Sequence, residues 1–371
     1  MKGSIKLGTV FGIPIKLHFT LIFIVILVAW SIGANVLLLA DMLGIEDPGI
    51  TTGLQSYTIG LVLAVGLFVS VLIHEMAHSI VSIKNGIKVN EISLWLFGGV
   101  SALEEIPRDP NLEIKVSAVG PLSSLGIALF CFIGGMLTTH GILTFMLLYT
   151  SFINFFLAGF NLIPAFPMDG GRILRALLAK KYPYIKATKA AADVGKAFAV
   201  LLGIIGLFFN IFLILIAFFI YIAASQESQS VLFKEVLSRI NVRNIMSEDV
   251  KTVSPDITIE EFIKIVIKLH HTGFPVVSSG KVVGIVTMSD SKKVPDDMIY
   301  TTKVGQVMEE NIICVSPDDN VGDIWETMMK EQFGRFPVMD GDELVGIITR
   351  SDILHSFNVL SEVEKVREEE F

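Results

Sequence analysis

The sequence predicts a chain in two parts: an α-helical polytopic membrane domain, with six transmembrane helices and a short re-entrant β segment, followed by a soluble α/β pair of repeated units. Three observations carry this reading. Long apolar runs recur at 17–40, 56–83, 112–137, 142–164 and 190–224, and a helical span needs only ~20 such residues. The charge is divided unevenly. Residues 1–240 hold 16 Lys/Arg and 13 Asp/Glu, net +3, whereas residues 241–371 hold 13 and 24, net −11. The acidic part also contains an internal repeat with a constant offset of 62 residues.

Composition narrows the class further. The chain is 52% hydrophobic and 18% charged, with mean hydropathy +0.66, which is not the balance of a soluble globular protein. An acidic soluble part argues against a nucleic-acid partner, because phosphate binding needs a basic face. Cys131 lies in an apolar run and Cys314 in the soluble part. No disulfide is expected between such different surroundings, and neither residue sits in a metal-ligand cluster.

The elements follow in order. Lys2, Lys6 and Lys16 precede the first run, and Asp41, Glu46 and Asp47 follow it. The positive-inside rule therefore places the N-terminus in the cytoplasm and the 41–55 loop outside. The first run exceeds the h-region of a cleaved signal peptide and is read as a retained helix. The second helix returns at Lys84 and Lys88. The third leaves again, with an outer turn at 138–141, and the fourth comes back to a basic stretch that includes Arg172, Arg175, Lys180 and Lys181. The block 190–224 is long for one span and short for two. Gly203, Gly206 and Asn210 mark a turn within it, and two helices return the acidic part to the cytoplasm. Between the second and third helices, EISLWLFGGVSAL (91–103) is too short to span as a helix. It is read as an interfacial loop or a re-entrant strand pair bent at Gly98 and Gly99.

The chemistry is concentrated in the second helix, where residues 71–80 read VLIHEMAHSI. His74 and His78, at i and i+4, share one helix face and can converge on one Zn²⁺. Glu75 is adjacent and can reach a water on the ion, the H-E-x-x-H pattern. Ionisable groups within a bilayer are costly and mark function. Hydrogen-bonded glue between helices, or an ion-pathway cluster of a channel or transporter, are the alternatives. A catalytic zinc needs a third protein ligand. Residues 161–172, NLIPAFPMDGGR, offer Asp169, with Pro164 and Pro167 breaking the helix and Gly170 and Gly171 permitting a tight turn. The same aspartate could instead cap the next helix. His74 lies 18 residues past Ser56, ~27 Å along a helix, which brings it to the cytoplasmic side, where Asp169 also lies. Glu104, Glu105 and Glu113 are rival third ligands in a charged loop.

HEMAH followed by Asn161, Pro164, Pro167, Asp169, Gly170 and Gly171 resembles the site-2 protease family of intramembrane zinc proteases. The resemblance covers residues 1–224 and includes the glycine pair at 98–99 and AVGPL at 118–122, which is read as opening the third helix. It implies that His74, His78 and Asp169 bind one zinc and that Glu75 is the general base. It also implies that Asn161, Gly98 and Gly99 handle substrate, a membrane-anchored protein cut within the bilayer.

In the soluble part, VRNIMSEDVKTVSP (242–255) matches VGQVMEENIICVSP (304–317), and GIVTMSD (284–290) matches GIITRSD (346–352). A gapless repeat is one structural unit made twice. Each copy predicts a strand near V-S-P, a helix from about Glu260 or Gly322, two short strands and a second helix. The pair resembles tandem CBS domains. That resemblance implies an adenine nucleotide such as ATP or AMP, held by Thr287 and Asp290 or by Thr349 and Asp352. A carboxylate can accept from ribose hydroxyls, and a threonine can donate to phosphate. Pro295 interrupts the second helix of the first copy, so the pattern is fuller at Asp352. The expected boundaries are a protease domain at 1–224, a linker at 225–241, CBS units at 242–300 and 301–358, and an acidic tail at 359–371. The expected protein is a multi-pass cell-membrane protease with its N-terminus and CBS pair in the cytoplasm, regulated by nucleotide and dimerising through the pair. His18 and His140 are read as interfacial, and His270, His271 and His355 as surface or packing residues.

Overall fold

The computed structural model describes residues 3–95, 98–103 and 107–369. The chain divides into two compact units, Met1–Gln229 and Ser230–Phe371.

The first unit begins with a hairpin that the sequence reading did not anticipate. Strands β1 (Ser4–Val10) and β2 (Ile13–His18) pair antiparallel across a turn. Phe11 and Gly12 both have positive φ there, 51° and 82°, as a tight hairpin requires. The run expected as one helix at 17–40 is instead the end of β2 followed by α1 (Thr20–Ala34) and α2 (Val36–Met42), bent by 68°. Asn35 stands at the bend, and its amide donates to the Ser31 carbonyl at 2.8 Å. Helix α3 (Leu54–Lys84) follows, then β3 (Val89–Trp95) and β4 (Gly98–Leu103). The four strands form one sheet in the order β1-β2-β3-β4, with β2 and β3 parallel. Residues 91–103 are thus largely a strand pair. Trp95 pairs with Gly98 and Leu94 with Gly99, so the two glycines open the returning strand and do not form the bend.

Helix α4 (Pro110–Leu137) starts at Asp109, whose carboxylate accepts from the Asn111 N–H at 2.9 Å. AVGPL therefore lies inside this helix, not at its start. The remaining helices are α5 (Gly141–Asn161), α6 (Asp169–Ala179), α7 (Tyr184–Phe209) and α8 (Ile211–Leu237). Asn210 separates the last two, and its side chain accepts from the Phe212 N–H at 2.9 Å. The stretch expected as a linker is helical as far as Leu237. Val236 and Leu237 are buried in the core of the second unit, and that packing sustains the helix. By length and composition α3, α4, α5, α7 and α8 can each cross a bilayer, and α1 with α2 passes the same test as a bent pair. Their outer faces expose large apolar side chains such as Phe130 and Phe208. Water would penalise such a surface and lipid does not.

The second unit repeats one motif. Its first copy holds α9 (Ile259–Leu269), β5 (Gly273–Ser278), β6 (Lys281–Thr287) and α10 (Met288–Ser291). The second holds α11 (Val321–Lys330), β7 (Arg335–Asp340), β8 (Glu343–Thr349) and α12 (Arg350–Glu369). The two hairpins share one register, including the same irregularity before Val277 and Met339. Each copy has its own core, around Phe262 and Phe274 in the first and Phe336 and Ile348 in the second. The expected strands near V-S-P reduce to single bridges, Val253 to Val276 and Val315 to Val338. Helix α10 stops after one turn, ahead of Pro295, whereas α12 runs on.

Candidate metal centre

Helix α3 is apolar along most of its length, so its two histidines must find polar partners inside the protein. They stand one turn apart on one face, ring centroids 4.9 Å apart and planes at 73°. Helix α4 supplies the partners. Nδ1 of His74 lies 3.0 Å from Ser124 Oγ, and Nδ1 of His78 donates to the Val116 carbonyl at 2.7 Å. A ring whose Nδ1 donates to a carbonyl presents Nε2 as its free lone pair. Both Nε2 atoms lie 3.2 Å from Asp169 Oδ2.

Asp169 reaches that position because the chain between α5 and α6 is folded into the interior. Ala165 and Met168 pack among residues of α7 and α8, and so does Phe166. Residue 170 must be glycine, since a side chain there would run into the Leu162 and Ile163 carbonyls. His74 is 4% exposed and His78 7%, and the Asp169 side chain is 14% exposed. One ligand atom from each of these three residues lies within 4.8 Å of the others.

Two further glycines shape the centre. A methyl group at Gly120 of α4 would land on Nε2 of both histidines. One at Gly99 of β4 would strike the Glu75 side chain. The space beside the imidazoles is thus kept open, and β4 runs directly against Glu75. Two imidazole nitrogens and one carboxylate oxygen, with the imidazoles oriented from behind, make the three-ligand donor set of a catalytic zinc. The point that a Cβ at Gly120 would occupy lies 2.1 Å from His78 Nε2 and 2.6 Å from His74 Nε2, near the position of an ion held by both. The residues present fit the ion.

The other expected residues fall as follows. Asn161 donates to the Leu157 carbonyl of its own helix at 2.9 Å and is not among the residues brought to the imidazole pair. Glu113, a rival third ligand, is buried and accepts from Arg175, so it is committed elsewhere. Glu104 and Glu105 lie outside the described residues. Arg175, part of the basic stretch that follows the fourth helix, is 6% exposed.

The sequence reading missed Val116, Ser124 and Asn154. Asn154 of α5 is fully buried and donates to Ser70 Oγ at 3.1 Å, four residues before His74. A lone Ser or Asn in an apolar run was the available signal. Val116 acts through its backbone carbonyl and carries no signal in sequence.

In the second unit, Asp290 Oδ2 accepts from the Thr287 N–H at 3.0 Å and from its hydroxyl at 2.7 Å, while Lys293 reaches Oδ1 at 2.8 Å. Partial burial pushes this carboxyl up, but the hydrogen bonds from Lys293 and Thr287 outweigh it and hold the group below the usual carboxylate range. Thr349 and Asp352 repeat the turn, with both Thr349 donors 2.8 Å from Asp352 Oδ2. A cavity of about 590 Å³ is lined by Thr287 and Asp290 from the first copy and by Phe333 and Arg335 from the second. Asp352 does not line it. The sequence reading favoured the Asp352 side because its helix is intact. The cavity lies on the other side, where α10 ends early.

Membrane-length helices around a buried His-His-Asp group describe a polytopic helical protein with a candidate metal centre. The profile of Peptidase family M50 matches residues 62–142 and 135–202, and that of the CBS domain matches 242–290 and 304–358. The zinc metalloprotease MJ0392 of Methanocaldococcus jannaschii is 38% identical over 373 residues, spanning 99% of this chain and 100% of that protein. A solved site-2 protease from the same organism is 39% identical, covering 61% of this chain and 95% of that one, with TM-score 0.43. The CBS pair of protein MJ0100, solved with 5'-methylthioadenosine and S-adenosyl-L-methionine, is 31% identical over 32% of this chain and 96% of that one, with TM-score 0.30. The chain belongs to peptidase family M50, the zinc metalloproteases of the site-2 protease type, and carries a C-terminal CBS pair. It is an intramembrane protease.

Proposed function

We propose that the chain cuts a transmembrane segment of a membrane-anchored protein, with His74, His78 and Asp169 holding one zinc and Glu75 as general base. The meeting of the three ligand atoms within 4.8 Å carries this reading. Zinc, when bound, supplies Lewis acidity that lowers the pKa of a water and polarises a carbonyl. Glu75 accepts the proton of the attacking water and returns it to the leaving amine. Val116 and Ser124 hold the rings in place while charge develops. A helical substrate shields its carbonyls in its own hydrogen bonds, so the segment must be extended before it is cut. Strand β4 closes the sheet at one edge and passes Glu75 at Gly99. An unwound segment adding to that edge lies beside the base. This gives Gly98 and Gly99 their substrate role, and Asn161 is assigned to the same path.

The reading includes six spans, with α1 and α2 as one, and a re-entrant β3–β4 pair. It places the N-terminus and the CBS pair in the cytoplasm, where nucleotide is available. An adenine nucleotide occupies the Asp290 cleft, its ribose replacing Lys293 on the carboxylate and its phosphates meeting Arg335 and Lys292. Two protomers dimerise through the pair. An ion-pathway role for the HEMAH cluster is disfavoured by the third ligand and by the family.

The test is cleavage of single-span proteins by the purified full chain in liposomes. Wild type should cut them, and Glu75→Gln should bind zinc but not cut. Equal cleavage by Glu75→Gln would remove the general base.

A further inference from the structure

Beyond the ligands, a second buried charge cluster stands behind Asp169. Arg175 lies six residues after Asp169 on α6 and is 6% exposed. Its Nε and Nη2 donate to Glu113 Oε1 of α4 at 2.8 and 2.5 Å, and its Nη1 donates to Glu227 Oε1 of α8 at 2.6 Å. The guanidinium also stands 5.1 Å from the ring centroid of Phe166, in the loop that delivers Asp169. Glu113 is itself 3% exposed and lies three residues before Val116, whose carbonyl holds His78. One guanidinium on the helix that starts at Asp169 therefore contacts the loop before it and the helix that orients both imidazoles.

We propose that Arg175 is a positioning residue of the zinc site, fixing α6 against α4 so that Asp169 Oδ2 stays within reach of the two Nε2 atoms. The proposal rests on Asp169 as a zinc ligand. A planar guanidinium gripping a carboxylate fixes direction as well as distance, which a lysine cannot do. Stability alone does not account for the cluster, since buried ion pairs are often replaceable by apolar groups of similar volume without loss. That contrast separates the two roles.

The experiment measures zinc affinity by competition with a chelator, thermal unfolding, and the visible spectrum of the Co²⁺-loaded full chain in detergent. The variants are Arg175→Lys and the paired, wholly apolar Glu113→Leu/Arg175→Met. The paired variant should unfold at or above the wild-type temperature, yet hold zinc roughly 10- to 100-fold more weakly, the range for groups behind a metal ligand, with an altered Co²⁺ spectrum. Arg175→Lys should weaken zinc in the same direction, by less. Zinc affinity within twofold of wild type and an unchanged spectrum in a folded variant would overturn the proposal. Should the paired variant not fold, Arg175→Lys decides by the same two readouts. If wild-type zinc affinity is insensitive to Asp169→Ala, the ligand assignment fails instead, and the two failures are distinguishable.

Discussion

Gly120 sets the tightest steric tolerance in the metal centre. A methyl there meets Nε2 of His74 and His78 at once, so Gly120→Ala should lower zinc affinity by at least about tenfold while the helices remain, as a zinc titration followed by circular dichroism would report. Ser124→Ala removes the group behind His74 and should cost about tenfold in zinc affinity, with little loss of thermal stability. At this scale the meeting of His74, His78 and Asp169 was legible in sequence, because spacing on a helix and the chemistry proposed for zinc restrict which residue types suffice. Gly120 and Val116 were not. One works by having no side chain and the other through its backbone, so neither differs in sequence from any glycine or valine of an apolar helix.

Among the elements, β4 makes the sharpest prediction. Proline at Gly98 or Gly99 removes a backbone donor from a sheet edge, and should slow cleavage at least about tenfold while zinc content stays at the wild-type value. Metal analysis beside a cleavage assay checks this, and unchanged cleavage would detach β4 from substrate handling. Helices α3, α4 and α5 were legible to within a few residues, since each is an apolar run ended by charge, glycine or proline. The N-terminal hairpin was not. Ile13, Ile15 and Leu17 alternate as a strand should, but they merge into the apolar run of α1, and a hydropathy window cannot separate the two periods. Helix α8 outran its expected end because Val236 and Leu237 gain a core to pack against, which is tertiary information.

For the whole molecule, the repeat was legible as a repeat because two gapless copies must fold alike. That a cavity opens beside Asp290 was not legible. That depends on Phe333 and Arg335 reaching into the first copy's side, across a separation that one copy's pattern does not encode. Nucleotide binding to the full chain should therefore weaken about tenfold or more in Asp290→Ala and change little in Asp352→Ala, as equilibrium binding of ATP or AMP would report. Adding ATP over the millimolar range should alter the cleavage rate of wild type. An identical rate would retire regulation through the CBS pair and leave the protease untouched. The most direct test is the zinc content of the purified, folded full chain, wild type against Asp169→Ala. A single zinc ion per wild-type chain that is lost in the variant is the expected result. Stoichiometric zinc retained without the Asp169 carboxylate would contradict the centre described above.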